Sequence, residues 1–444
     1  MNKPAKEVKI RAEIAATEMS SPSFLFRSIS HRFAGSSKYL ISKPATSFKS
    51  FSTLFHRQMS TAAAQSESPP WLMLPPSFEG GAMIHNFYSL TENKVITLTG
   101  SREKELSHVM SKPYHYRVLT GSSHGYLALF SRRTLDLFLY NPISRRHIKL
   151  PPIQNLPNSP KNVAKVILSC SPDEDYENCR AVMMYNCTHM LAVCCPGRSK
   201  EWTPFGRYPD GYDEIVYSSE YQLLFGLTNY DDRLETWDLR GPSSPRMIMS
   251  TPLYGDGYSE LPHKKGPNYF FMPVEDRPCY FRLPVEHLVV ADHYLLLVTR
   301  FIIESVAPDG SYVDCYDEDS KNCPHMTIDF DVHKFDPEKG IFTHVDSLGE
   351  LALFIGLESD TVALPAGRFS GLKANSIYFT DTIGTGYWAV LNHRCDYAAP
   401  FGGHDNGIFN YEDKTISSCY YPCDVQSVQR ILPSPMWFFP SSQI

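Results

Sequence analysis

Four absences narrow what this 444-residue chain can be. No uninterrupted apolar run reaches the length of a membrane span. The nearest, residues 288–303, is broken by Asp292, His293 and Arg300 and reads as two paired strands. The 11 cysteines are odd in number and scattered, so no disulfide framework is legible and a reduced compartment is implied. The body also carries no basic stripe. Of the 42 Lys+Arg and 48 Asp+Glu, ten and three lie in residues 1–59, which leaves 32 and 45 and a balance of −13 beyond them. Such a body repels a phosphate backbone, and no nucleic-acid partner is expected. Lastly, residues 20–60 hold no acid at all, against six Lys or Arg and twelve Ser.

That acid-free segment has a second property. Leu25, Ile29 and Phe33 recur at four-residue spacing on one helical face, with Arg27, His31 and Arg32 off it. An amphipathic, Arg- and Ser-rich N-terminus without acids reads as an organelle presequence; a disordered basic tail is the plainer reading. Arg57-Gln58-Met59-Ser60-Thr61 resembles a mitochondrial processing site, with an Arg three residues before the cut. Cleavage is therefore expected between Met59 and Ser60, after passage of residues 1–59 through an organelle import machinery. The expected address is the mitochondrial matrix, with the chloroplast as alternative because of the serine content. Residues 60–75 read as a linker, and the folded body is expected over 76–444.

The body reads as all-β. With 34 Pro, 25 Gly and 13% aromatics, the composition suits many short strands and tight turns. Residues 119–153, LTGSSHGYLALFSRRTLDLFLYNPISRRHIKLPPI, give strands at 125–130, 135–140 and 147–150. Ser131-Arg132-Arg133 and Asn141-Pro142 separate them. An antiparallel meander this small cannot bury its own faces, so neighbours of the same kind are implied, as in a propeller. Strand pairs also read at 86–99 around Glu92-Asn93, at 190–205, 213–249, 288–304, 326–356, 371–381 and 407–421. Residues 254–282 read as long surface loops. A strand–turn–charge–strand pattern recurs as YNPISRRHI, WDLRGPSSPRMI, FDPEKGIFTHV and NYEDKTISSC, beginning at Tyr140, Trp237, Phe335 and Asn410. The spacing leaves room for unmarked units, and the expectation is a single propeller of six blades, with seven as the alternative. Trp237-Asp238 lacks the Gly-His partner and the regular period of a WD repeat.

Candidate chemistry is thin. Gly121-Ser122-Ser123-His124-Gly125 satisfies the G-x-S-x-G pattern, but the strand after it offers no helix for a nucleophile elbow, so Ser123 reads as a turn residue. Cys194-Cys195 are adjacent, and Cys419-x₃-Cys423, with His393 and Cys395 upstream, is one loose pair where structural zinc uses two. Buried free thiols are the simpler reading. Asp314, Asp317, Glu318 and Asp319 lack the alternation and the Gly of a calcium loop. Tyr269-Phe270-Phe271 and Trp437-Phe438-Phe439 suit core strands or a binding face. No catalytic set, metal or cofactor is expected.

GSSHGYLALF with LYNPISRRHIKLPPI resembles the plant family called domain of unknown function 295, a kelch-like β-propeller found behind many F-box proteins. So do IVYSSEYQLLFGL and LETWDL (215–239), FDVHKFDPEKGIFTHVDSLGELALFIG (330–356), GLKANSIYFTD (371–381) and GIFNYEDKTI (407–416). The resemblance implies a propeller that presents binding loops, and in many members a ubiquitin-ligase adaptor. The N-terminus here has no three-helix F-box pattern, so no ligase adaptor is expected. The chain is similar to members with organelle targeting in the F-box's place. The expected function is a non-enzymatic scaffold for an unknown protein partner. An F-box-like substrate receptor, and a hydrolase or metal-dependent enzyme at the channel, are the alternatives; converging titratable residues at the channel would favour the enzyme.

Overall fold

The computed structural model describes residues 69–440 apart from 80–81, 100–116, 159, 161, 187–188, 208–210, 229–231, 242–243, 254–281, 292–293, 314–319, 321, 357–358 and 383–400. Among the described residues there is no α-helix; short strands follow one another through tight turns. The first sheet takes β1 (Trp71–Glu79), β2 (Ala82–Ser89) and β3 (Lys94–Thr99). The second takes β4 (Arg117–Ser123), β5 (Tyr126–Ser131), β6 (Leu137–Tyr140) and β7 (His147–Lys149). The third is β8 (Val163–Leu168), β9 (Ala181–Tyr185), β10 (Met190–Cys194) and β11 (Thr203–Phe205). β12 (Tyr212–Ser218), β13 (Leu223–Thr228), β14 (Arg233–Asp238) and β15 (Arg246–Pro252) make the fourth.

The rest forms one nine-stranded sheet. It opens with β16 (Arg282–Ala291), β17 (Tyr294–Ile303), β18 (Met326–Asp336) and β19 (Ile341–His344), paired in sequence order. It continues with β20 (Leu351–Ile355), β21 (Val362–Pro365), β22 (Ser376–Phe379), β23 (Gly407–Asn410) and β24 (Thr415–Ser417), in the order β21-β20-β22-β23-β24. A single parallel pair, Val290 with Val362, joins these two halves. The last strand, β25 (Met436–Phe438), returns to pair antiparallel with β1, setting Trp71 against Phe438.

Successive side chains point to opposite faces, and every residue of β5, β9, β10 and β13 is buried, so their sheets have two apolar faces that neighbouring sheets bury against each other. Tyr126, Phe130 and Leu139 of the second sheet pack with Val166, Met183 and Tyr185 of the third. Met184 and Leu191 of the third meet Ile215 and Leu224 of the fourth. Phe225 and Leu234 of the fourth meet Leu288 and Leu297, and Val298 and Phe330 meet Leu353 and Phe379 across the nine-stranded sheet. Phe354 and Tyr378 then pack on Leu72 and Trp437, and Phe87 and Phe438 pack on Leu127. The circuit of clusters returns to its start, so the sheets form a closed β-propeller.

Residues 288–303 fall into β16 and β17, paired residue by residue from Ala291 with Tyr294 outward. Trp437 and Phe438 are fully buried core residues of the closing strand. Three expectations are corrected. Trp71, Leu72, Met73 and Leu74, assigned to the linker, are the buried first half of β1. Pro75-Pro76, which read as its end, instead fall where the register with β2 shifts between Leu74 and Ser77, since prolines cannot donate to a regular ladder. The meander at 119–153 has a fourth strand, β4, hidden because Thr120-Gly121-Ser122-Ser123 has turn composition. β8 and β9 also escaped notice: VAKVIL, apolar apart from Lys165, and AVMMY show no alternation to mark them.

Candidate functional site: the polar axis

The first strands of successive sheets, β25, β4, β8, β12 and β16, lie against one another around the axis, with β21 beside β16. A charged group buried on such a strand needs a partner, and the neighbouring first strands can supply it. Lys165 of β8 donates to Glu214 Oε1 of β12 at 2.7 Å, with both side chains buried. The same oxygen accepts the Ile215 backbone N–H, and Glu214 Oε2 accepts from His287 Nδ1 of β16 at 3.2 Å. Burial pushes the Glu214 carboxyl up, but Lys165 and His287 together outweigh it and hold it below its ordinary value. Burial lowers His287, more than Glu214 raises it, which keeps the imidazole neutral; its Nε2 has no hydrogen-bond partner.

The turn between β20 and β21 crosses to this group. Its Asp360 N–H donates to Ser122 O at 2.9 Å, and Thr361 Oγ1 donates to Leu288 O. The half-buried Asp360 carboxyl is pushed up to about 7 by burial, against the hydroxyl of Ser123 and the charge of Lys165, which pull it down. Ser122 Oγ and Ser359 Oγ, both buried in this crossing, have no partner.

A second polar knot lies where β17, β18, β22 and β23 meet. Arg300 of β17 is fully buried. Its Nε donates to Thr327 Oγ1 at 2.7 Å, Nη1 to Thr380 O at 2.6 Å, and Nη2 to Asp405 Oδ2 at 2.8 Å. Its guanidinium also lies 4.6 Å from the Phe379 ring centroid. Asp405 accepts the Thr327 backbone N–H as well. Beside it, His325 Nε2 is 2.9 Å from Asp381 Oδ1, and His404 Nε2 donates to His325 O at 2.9 Å. His325, Asp381 and His404 are the one group among the described residues whose ligand atoms all lie within 4.8 Å of one another. Burial alone would lower His325, but Asp381 raises it above its ordinary value.

The residues singled out in the sequence fare unevenly. Ser123 is the last residue of β4, and the turn itself is His124-Gly125, with φ 48° and 78°. Its Oγ accepts the Leu168 backbone N–H at 2.9 Å, stitching β4 to β8. Gly121 is required for a different reason: a Cβ there would collide with the Val166 carbonyl of β8. Both glycines of the pattern are thus explained by close backbone approach and a positive φ. Cys194 is buried in the core of the third sheet, and Cys195 is half-buried beside it. Burial pushes the Cys419 thiol up to about 12, and Cys423 lies against Ser418 Oγ. Met59, Ser60, Tyr269, Phe270, Phe271, Asp314, Asp317, Glu318, Asp319, His393 and Cys395 lie outside the described residues. Lys165, Glu214, His287, His325, Asp360, Asp381, His404 and Asp405 were not singled out in the sequence. The signals available were Lys165 and Arg300, each a charge inside a mostly apolar strand.

A closed propeller with two buried ion pairs, one of them between the first strands around its axis, is the class of protein defined here. A family model described as the KIB1-4 beta-propeller matches residues 87–410, and the chain belongs to that family. No curated protein matches the chain. Among solved structures it is similar to the Cps50 (Swd1) β-propeller domain of Myceliophteria thermophila, with 11% identity over 78% of this chain and 88% of that one, at a TM-score of 0.30. Apo AztD of Citrobacter koseri gives 11% identity over 66% and 75%, at 0.34. The dihydro-heme d1 dehydrogenase NirN gives 14% over 63% and 47%, at 0.28. At these scores they carry nothing about function.

Proposed function

We propose that this chain is a six-bladed, non-enzymatic interaction scaffold that works inside an organelle, with the mitochondrial matrix as its address. Dividing the nine-stranded sheet at its single Val290–Val362 pair supports the count of six blades. The observation that carries the scaffold reading is the pairing of buried charges. Lys165 faces Glu214, and Arg300 faces Asp405, each within a hydrogen-bonded set supplied by the protein itself. Charges used in that way hold a ring rigid and leave recognition to the loops that the ring displays. The acid-free N-terminus and the −13 body support import of an acidic mature protein cut between Met59 and Ser60. No F-box pattern supports a ligase role.

Affinity capture from intact organelles tests the scaffold. A defined partner set should be retained by an Asp360→Asn variant, because the axis is structural. A turnover that this variant abolishes would replace the scaffold with an enzyme. That second reading is favoured by one feature: titratable groups do converge on the axis, and Asp360 sits there with a carboxyl poised near neutrality beside Ser123 and Lys165.

A further inference from the structure

The second polar knot contains a donor set that the scaffold reading does not use. His325 precedes β18, and Asp381 and His404 stand at the two ends of the β22–β23 connection, so two connections deliver them to one place. All three are buried, at 8%, 4% and 2% exposure. His325 Nε2 lies 2.9 Å from Asp381 Oδ1, and His404 Nδ1 lies 3.8 Å from Asp381 Oδ2. Ligand atoms around a tetrahedral ion at zinc distances are about 3.4 Å apart. These two distances bracket that spacing, and the two imidazole nitrogens lie within 4.8 Å of one another, so the set would tighten around the ion on binding.

The outer contacts point the same way. His404 Nε2 donates to the His325 carbonyl at 2.9 Å, which fixes the tautomer and leaves Nδ1, 3.8 Å from Asp381 Oδ2, with its lone pair. A ring N–H held by a backbone carbonyl is the usual support behind a metal-bound imidazole. The Gly402 N–H, 3.1 Å from His404 Nδ1, is the contact that an ion would displace. Charge is compatible as well. Arg300 is matched by Asp405 at 2.8 Å, whereas Asp381 faces two imidazoles. One residue beyond each carboxylate stands a buried oxygen without a hydrogen-bond partner, Thr382 Oγ1 and Asn406 Oδ1, at 3% and 2% exposure.

We propose that His325 Nε2, the Asp381 carboxylate and His404 Nδ1 form a site for one divalent transition-metal ion of the zinc type. A set of two imidazoles and one carboxylate leaves a fourth position for water or a neighbouring oxygen. The ion would clamp the turn before β18 to the turns after β22 and before β23.

Cobalt(II) titration of the chelator-treated full chain tests this. The expected result is saturable binding of one ion per chain. Visible d–d bands should show four-coordination, without the near-ultraviolet thiolate-to-cobalt band that cysteine ligands produce. Zinc should displace cobalt and raise the melting temperature. Asp381→Asn and His404→Gln should each weaken binding by at least tenfold to a hundredfold. A Cys419→Ser/Cys423→Ser variant should keep the spectrum and stoichiometry. If either ligand variant does not fold, the wild-type spectrum still decides, because it separates nitrogen and oxygen ligands from sulfur. Absence of saturable binding, or a thiolate band lost in the double-cysteine variant, would overturn the proposal and leave the trio a hydrogen-bonded knot.

Discussion

Arg300 has no solvent contact yet makes four hydrogen bonds, two of them to Asp405. Removing one member of such a pair leaves an uncompensated buried charge, at a cost of about 3–5 kcal/mol. Arg300→Met should lose stability on that scale in urea denaturation, and Arg300→Met with Asp405→Leu should recover a large part of it. Recovery of nothing would mean that Thr327 and Thr380 carry the knot. Asp360 makes the opposite kind of prediction. Its carboxyl is raised from 3.8 to about 7, so between those values the folded chain holds a proton that the unfolded chain has released. Its contribution to stability therefore falls as pH rises through that window and levels off above it. Glu214, held below its ordinary value, has the other sign: its contribution is present at neutral pH and is lost on acidification. Asp360→Asn should make the melting temperature higher relative to wild type at pH 8 than at pH 4. An equal difference at both would reject the raised carboxyl. None of these pairings was legible from spacing, although Arg300 in an apolar run was a visible anomaly.

Among elements, the recurrent strand–turn pattern has a single physical cause. In each copy a buried aromatic stands at the end of a strand or one residue before it, and the next residue is Asn or Asp: Tyr140-Asn141, Trp237-Asp238, Phe335-Asp336 and Phe409-Asn410. The side-chain oxygen of that Asx residue accepts backbone N–H groups from the turn. Asn141 accepts from Ile143 and Ser144, Asp238 from Arg240, Asp336 from Glu338 and Lys339, and Asn410 from Glu412 and Asp413. The aromatic anchors the core while the Asx residue closes the hairpin to the outermost strand. Asn410→Ala should cost about 1 kcal/mol, near the net worth of one hydrogen bond, and Glu412→Ala close to nothing. Urea midpoints of the two variants decide it, and equal effects would reject the Asx account. The pattern was readable because it is local. Its spacing misled, because the interval between Trp237 and Phe335 contains residues 254–281 and two ten-residue strands, with no further sheet among the described residues.

For the whole molecule, the ring depends on its last strand. β25 pairs with β1 through Trp71, Leu72 and Met73, and Trp437 Nε1 donates to Ile355 O at 3.2 Å. Truncation after residue 435 exposes the β1 edge and removes two fully buried aromatics. The truncated chain should lose its cooperative melt and associate, as read by circular dichroism and size-exclusion chromatography. A monomer that melts like the full chain would show that closure is dispensable. The proposed address is tested separately by fusing residues 1–75 to a fluorescent reporter and by sequencing the mature N-terminus. A cytosolic or nuclear reporter would reject the presequence.

By itself the sequence determined the all-β class, most hairpins and the need for neighbouring sheets. Those properties rest on alternation and on turn residues a few positions apart, where the chain cannot choose its partners. Tertiary structure alone decided what the polar residues do. Lys165 and Glu214 are 49 residues apart, and Arg300 and Asp405 are 105 apart. Which of many charges becomes buried, and against which partner, is set by which strands and connections come to face one another as neighbouring sheets pack. That choice is made only when the ring closes, and no local pattern encodes it.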